Sequence, residues 1–243
     1  MIDLVAAEWL KVRTTRLLYG MIPVAVAISV TAVAGVVLSA DDATLSSIAG
    51  IRRVFAVTGA GAILMLVIGI VISAGEYQHG TTGDTFLTTP RRDRVVVAKL
   101  IIGAGIGLGA GALISLASVG IASLLYKIAG TAFPFDEPEV WLSLAGTLAY
   151  TALFAVLGVS VGCLIRNQVF AVSAALGWFA VVEHILVNLA PAIGRWLPAA
   201  AGQAIVRTPL DGLLSPLGGF AVLAAYGAAI ALVGARTTAT RDV

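Results

Sequence analysis

Glu183 and His184 stand side by side in an apolar run from Val169 to Leu189, with Asn188 one helical turn beyond His184. A charge near the centre of a bilayer costs several kcal/mol unless it faces a cavity or a partner. A carboxyl, an imidazole and an amide in that position suit the lining of a substrate path or a gate at a dimer interface. They also suit a proton relay. A structural reading stands beside these: a hydrogen bond to a neighbouring helix, with Glu183 protonated. No catalytic residue or metal site is expected. His79 and His184 fall in different compartments in the topology below, and Glu-His is not the His-Glu-x-x-His pattern of metalloproteases. The single Cys163 excludes an intramolecular disulfide and suits a small buried apolar residue.

The second chemical feature is a polar run from Gly75 to Arg94. Gly80 permits a break in the chain. Thr81-Thr82-Gly83-Asp84 is a Thr-x-x-Asp pattern that can start a short helix. Phe86 and Leu87 continue it for a turn or two. Pro90 stops it, and Thr89 before Pro90 is pushed out of the α region. Arg91, Arg92 and Arg94 then mark a membrane face. Such a short amphipathic helix is a docking knob, with Phe86 and Leu87 entering a groove on a partner. An inert loop with flanking arginines fits the same residues.

The elements that carry these groups are written for lipid. The chain has 243 residues, 59% hydrophobic and 12% charged, and its mean hydropathy is +1.02. A soluble domain carries about 25% charged residues. The net charge is only +2, with no basic stripe and interleaved aromatics, so nucleic acid is excluded as a partner. A helix needs about 20 apolar residues to cross the hydrocarbon core. Six runs meet that: Leu17–Leu38, Val54–Ser73, Leu100–Leu125, Leu142–Ile165, Val169–Leu189 and Leu217–Ala235. The first is followed by Asp41-Asp42 rather than a small-residue cleavage site and is read as a true span, not a signal peptide. The expected fold is all-α and membrane-integral, one transmembrane domain over 1–243.

Lys and Arg orient it. With both termini in the cytoplasm, ten of the fifteen basic residues lie inside, Lys11, Arg13, Arg16 and Lys99 among them. Arg52, Arg53, Lys127, Arg195 and Arg207 lie outside. This bias predicts cytoplasmic termini and a cytoplasmic 75–99 loop. The acidic clusters Asp41-Asp42 and Asp136-Glu137-Glu139 fall on the other face.

Smaller features fill in the bundle. Residues 1–16 read as an amphipathic interfacial helix, with Ile2, Val5, Trp9 and Val12 on one side and Asp3, Glu8, Lys11 and Thr15 elsewhere. A plain basic flank is the simpler alternative. Lys11, Arg13 and Arg16 suit an anionic leaflet of membrane lipid. Gly103, Gly107 and Gly111, the pair Gly105 and Gly109, and the pair Gly158 and Gly162 recur at four-residue spacing, which lets helix backbones approach closely in lipid. Pro23 is placed to kink span one. Residues 191–216 read as an extracytoplasmic loop, with Trp196-Leu197-Pro198 and Ile205-Val206 as short interfacial or re-entrant helices.

Glu76-x-x-x-Gly80-Thr81, followed by Leu87, Pro90, Arg92 or Arg94, and Lys99, resembles the signature loop of type-2 ABC transporter permeases. Glu8-Trp9-Leu10-Lys11 with Arg13 and Arg16 is similar to the opening of many small members of that family. The order of elements matches along the whole chain. The resemblance implies a dimeric permease subunit without its own ATPase, paired with cytoplasmic nucleotide-binding subunits that hold ATP and Mg. Its second permease would be another copy or a paralogue. By the same resemblance Glu76, Gly80, Thr81, Leu87 and Pro90 dock the ATPase through a short coupling helix; Thr82 and Phe86 belong to the same stretch. No large extracytoplasmic domain is present, unlike in some members. The sequence holds no Gly-x-x-x-x-Gly-Lys-[Ser/Thr] P-loop, so a motor must be a separate polypeptide.

The expectation is a permease of an ATP-driven exporter in a bacterial plasma membrane, moving a hydrophobic or amphipathic substrate and binding no cofactor itself. The alternatives are a proton-coupled secondary transporter using Glu183 and His184, and a non-transporting membrane scaffold.

Overall fold

The computed structural model describes residues 1–78, 92–165 and 167–240. All regular structure among them is helical. The chain opens with α1 (Ile2–Thr14) and α2 (Arg16–Ser39), then the short α3 (Asp42–Leu45). α4 (Ile48–Ala56) leads through a 3₁₀ segment (Val57–Gly61) into α5 (Ala62–Gln78). α6 (Arg92–Ile128) and α7 (Pro138–Leu164) follow. α8 (Gln168–Gly177) continues through a π-helical turn (Trp178–Val182) into α9 (Glu183–Leu189). Two short helices, α10 (Pro191–Gly194) and α11 (Pro198–Ile205), precede α12 (Pro216–Thr240).

Six helical stretches are long and apolar enough to cross a membrane: Arg16–Ser39, Ile48–Gly75, Asp93–Ile128, Pro138–Leu164, Gln168–Leu189 and Pro216–Thr237. They contain the six runs expected from hydropathy, apart from Ile165, where α7 has already ended. The protein is a multi-pass membrane protein by this architecture. Span two ends and span three begins at the end of the bundle that also holds α1, called here the near end. α3, α4 and α11 lie at the far end.

α7 is the central span. Its glycines meet α5 backbone to backbone. A methyl group on Gly158 would collide with the Leu66 carbonyl, and one on Gly69 of α5 with the Ala155 carbonyl. α6 crosses the other side of α7, where Gly103, Gly107 and Gly111 face Val159, Ala152 and Thr151. In lipid, helices gain little from apolar burial against each other, so this close van der Waals contact is what holds them. Gly105 and Gly109 do not take part. They face open space on the outside of α6, because a two-residue offset on a helix turns a side chain by about 200°. Their spacing carries no packing role within this chain.

Span two changes helix type at Val57–Gly61. A 3₁₀ stretch inside a helix leaves backbone groups badly paired, and α2 supplies the repair. Ser29 Oγ donates to the Thr58 carbonyl at 3.0 Å and accepts from Gly61 N at 3.2 Å. The Thr58 and Thr147 hydroxyls touch, linking the same break to α7. At the far end, Phe133 packs edge-on against Phe55 and Tyr126, with ring centroids 6.0 and 5.4 Å away. Tyr126 donates to the Leu45 carbonyl at 3.2 Å.

Span five is the least buried, at 11% of its most apolar window, against 67% for span two. It lines the outside of the bundle. α2 contains Pro23 and continues through it as one helix.

Candidate functional site

The chemistry-bearing side chains gather at the two ends of the bundle.

At the near end, Val12 of α1 joins the core with Val5 packed beside it, both from the apolar side expected in the sequence. Ile2 and Trp9 are exposed, whereas Glu8 and Val12 are buried. Glu8, expected on the polar side, faces inward because two cations meet it there. Lys99 Nζ donates to Glu8 Oε2 at 2.6 Å and Lys11 Nζ to Oε1 at 2.7 Å. Lys99 is buried in the first turns of span three. Burial raises the Glu8 carboxyl, but Lys99 and then Lys11 override it and hold the group below its ordinary value. A cavity of about 400 Å³ opens beside this cluster, lined by Glu8, Lys11 and Thr15 and floored by Ile68 and Ile72.

At the far end, α11 forms a lid between spans five and six. Pro198 starts it, as suits the first helical position, where no N–H is needed. A Schellman turn closes it. Thr208 N donates to the Gln203 carbonyl at 3.0 Å and Arg207 N to the Ala204 carbonyl at 3.1 Å. The turn requires a left-handed residue, normally glycine, yet Arg207 occupies it at φ 63°. Its side chain gives the reason. The Arg207 guanidinium lies 2.9 Å from Glu139 Oε2. Arg52 clamps the same carboxylate from span two at 2.9 and 3.0 Å. The C-terminal end of the lid is thus tied to spans two and four.

Glu183 ties the other end. Its carboxylate is 1% exposed, and Oε1 accepts from Ala199 N at 2.5 Å and Ala200 N at 3.2 Å. These amides belong to the first turn of α11, whose N–H groups have no helical partners. Oε2 accepts no hydrogen bond among the described residues. The π-helical turn immediately before Glu183 sets its direction, since a wider turn shifts every following side chain around the axis.

Under the lid lies a cavity of about 460 Å³. Tyr150 and Phe154 of α7, Phe179 of the π turn, and Ala199 and Gln203 of α11 line it. The three aromatic rings form a chain, with centroids 4.5 Å apart for Tyr150 and Phe154 and 5.3 Å for Phe154 and Phe179. Tyr150 is wedged between glycines: a methyl on Gly59 or Gly202 would strike its ring. A second cavity of about 270 Å³, lined by Trp178, Phe179 and Pro198, lies on the other side of the π turn.

Glu183, His184 and Asn188 are therefore not one cluster. Glu183 points inward, while His184 and Asn188 are exposed on the outside of span five. The Asn188 amide donates to the His184 carbonyl at 2.7 Å, a bond within one helix. Of the loop residues singled out in the sequence, Gly80, Thr81, Thr82, Phe86, Leu87 and Pro90 lie outside the described residues, as does the short helix expected there. Glu76 is in the last turn of α5, with its side chain outside the description. Tyr150, Gln203 and the Glu139–Arg207 pair carry no local motif, so sequence reasoning passed over them. The short helices expected at Trp196-Leu197-Pro198 and Ile205-Val206 fall at the two ends of the lid helix.

Compared with known proteins, the chain matches no family model and no curated sequence.

Proposed function

We propose that this chain is the membrane-spanning permease subunit of an ATP-driven exporter of the type-2 ABC kind. One observation carries the reading. The two stretches that resemble that family, Glu8–Lys11 and the loop motif ending at Lys99, meet in a buried ion pair. Nothing in membrane insertion requires these segments to touch. A coupling device does require it, because a push on the loop must reach more than one helix.

The mechanical path follows from the packing. α6 begins at Arg92, within the 75–99 stretch expected as a loop, and runs unbroken for 37 residues, roughly 55 Å at 1.5 Å per residue. A displacement at its near end passes to α1 through Glu8 and Lys99, and to α7 through the contacts of Gly103, Gly107 and Gly111. α7 carries Tyr150 and Glu139, the cavity wall and the clamp on the lid. In this reading a separate cytoplasmic ATPase binds ATP and Mg, docks at the 75–99 loop, and drives opening at the far end. The largely exposed span five is free to meet a second permease copy or paralogue. The far-end cavity holds the substrate, a hydrophobic or amphipathic molecule. The outward direction of His184 leaves it apart from Glu183, which gives no support to a relay between the two.

The test is a mild-detergent pull-down of the tagged chain from its native membranes, with ATP hydrolysis assayed on the eluate. The expected result is a stoichiometric P-loop protein that is lost in the Leu87→Asp chain, which still inserts. An intact, folded chain that brings down no ATPase would overturn the reading.

A further inference from the structure

Two of the glutamates drawn into this fold are each matched by two cations: Glu8 by Lys11 and Lys99, and Glu139 by Arg52 and Arg207. Glu183 is buried as deeply as Glu8, yet no cation pairs with it among the described residues. A carboxylate held inside a membrane span calls for a partner. The Ala199 and Ala200 amides satisfy one oxygen. The Trp178 indole is directed at the same carboxylate but completes no hydrogen bond to Oε2.

The neighbouring cavity has the opposite deficiency. Its wall carries the Tyr150, Phe154 and Phe179 rings, the Gln203 amide and the Thr208 hydroxyl, and no Lys, Arg or His. Ring faces attract cations, most strongly where water is excluded. Glu183 stands one residue behind this wall. It accepts from Ala199, which lines the cavity. An aromatic cavity of about 460 Å³ backed by an unmatched carboxylate is a site for a positively charged body.

We propose that the far-end cavity binds a lipophilic organic cation, an apolar molecule bearing an ammonium or similar group, with Glu183 as its counter-charge. The inference rests on this cavity being the substrate site of the transport subunit described above. It narrows the substrate from amphipathic molecules in general to cationic ones. Glu183 then has two tasks, since its Oε1 caps the lid helix while its Oε2 accepts no hydrogen bond among the described residues.

The test compares two probes of nearly the same shape, benzyltrimethylammonium and the neutral neopentylbenzene. Their binding to the full chain in lipid nanodiscs is followed by ligand-observed NMR, with empty nanodiscs as the blank. The native chain is expected to prefer the cation by at least about tenfold. Glu183→Gln keeps an acceptor for the lid amides, and it should bring the two probes to parity. Phe179→Leu should weaken the cation several-fold more than the neutral probe. His184→Ala, on the outer face, should change neither. Equal affinity for the two probes in the native chain would overturn the proposal, and that comparison needs no variant to fold. An undiminished cation preference in folded Glu183→Gln would overturn it as well. Binding is read without ATPase or flux. A cation-selective chain that recruits no ATPase would keep this site and remove the permease reading, and the reverse result would do the opposite.

Discussion

Lys99, in the first turns of span three, reaches across to Glu8 on the N-terminal helix and donates to its carboxylate at 2.6 Å with both side chains buried. Ninety-one residues separate them in sequence. This pair, with Lys11 as its third member, is what docks α1 on the bundle. Removing one partner breaks a buried ion pair, a change that costs up to roughly 3–5 kcal/mol where no other partner remains; after Lys99→Met, Lys11 still faces Glu8. Glu8→Gln and Lys99→Met should each lower the melting temperature of the detergent-solubilised chain sharply. The double variant Glu8→Leu with Lys99→Met should recover most of the loss. Additive losses in the double variant would show that the two residues act independently.

The same pair makes α1 acid-sensitive. The Glu8 carboxyl titrates below its ordinary value of 4.5 in the folded chain. A depressed carboxylate stabilises the fold above its unfolded pKa, and the stabilisation is lost as pH falls through the folded one. The protection factors of the residue 2–14 amides, taken relative to the intrinsic exchange rate at each pH, should therefore be high and level above about pH 4.5 and fall in acid below it. In Glu8→Gln the protection should be weaker at neutral pH and independent of pH across that window. A native chain whose α1 loosens instead on going from pH 5 to 8 would contradict the assignment.

The glycines of α5, α6 and α7 should divide into two classes. Gly158→Val forces a side chain into the Leu66 carbonyl. Backbone cannot yield as a flexible side chain does, so the chain should fail to give a monodisperse peak on fluorescence-detected size exclusion. Gly105→Ala and Gly109→Ala place a methyl in open space. They should be neutral or stabilising by up to about 1 kcal/mol each, since alanine is the better helix former. Equal damage from both classes would mean that the outer face of α6 is covered in the assembled protein.

Arg207 offers a test of strain against charge. Arg207→Ala removes the ion pair with Glu139 and keeps a left-handed residue with a Cβ. Arg207→Gly removes the same pair but relieves the backbone. Glycine should be the milder change by about 1 kcal/mol in thermal unfolding. In a Glu139→Gln background both should cost less than in the native one, because the partner carboxylate is already gone.

Much of this protein could be read without coordinates. The hydrocarbon core imposes a length and forbids unpaired backbone, so six apolar runs became six helices, with ends shifted by a few residues. Lys11 and Lys99 were assigned to one end, and Arg52, Glu139 and Arg207 to the other. Among the described residues, the pairs of Glu8 with Lys11 and Lys99 and of Glu139 with Arg52 and Arg207 each join residues at one end. The functional geometry was not legible in the same way. A helical wheel put Glu8 among the polar residues, and only the partner Lys99 turns it inward. Four-residue spacing made Gly105 and Gly109 equivalent to Gly103, Gly107 and Gly111, and only the position of α7 distinguishes them. Glu183, His184 and Asn188 looked like one cluster, and the rotation of about 100° per residue along the α-helix that carries all three turns Glu183 inward and the other two outward. Local sequence determines what can lie in lipid, because that cost is paid residue by residue. Which face of each helix turns inward, and which charges meet, depends on contacts between residues far apart in the chain, and those exist only once the bundle has closed.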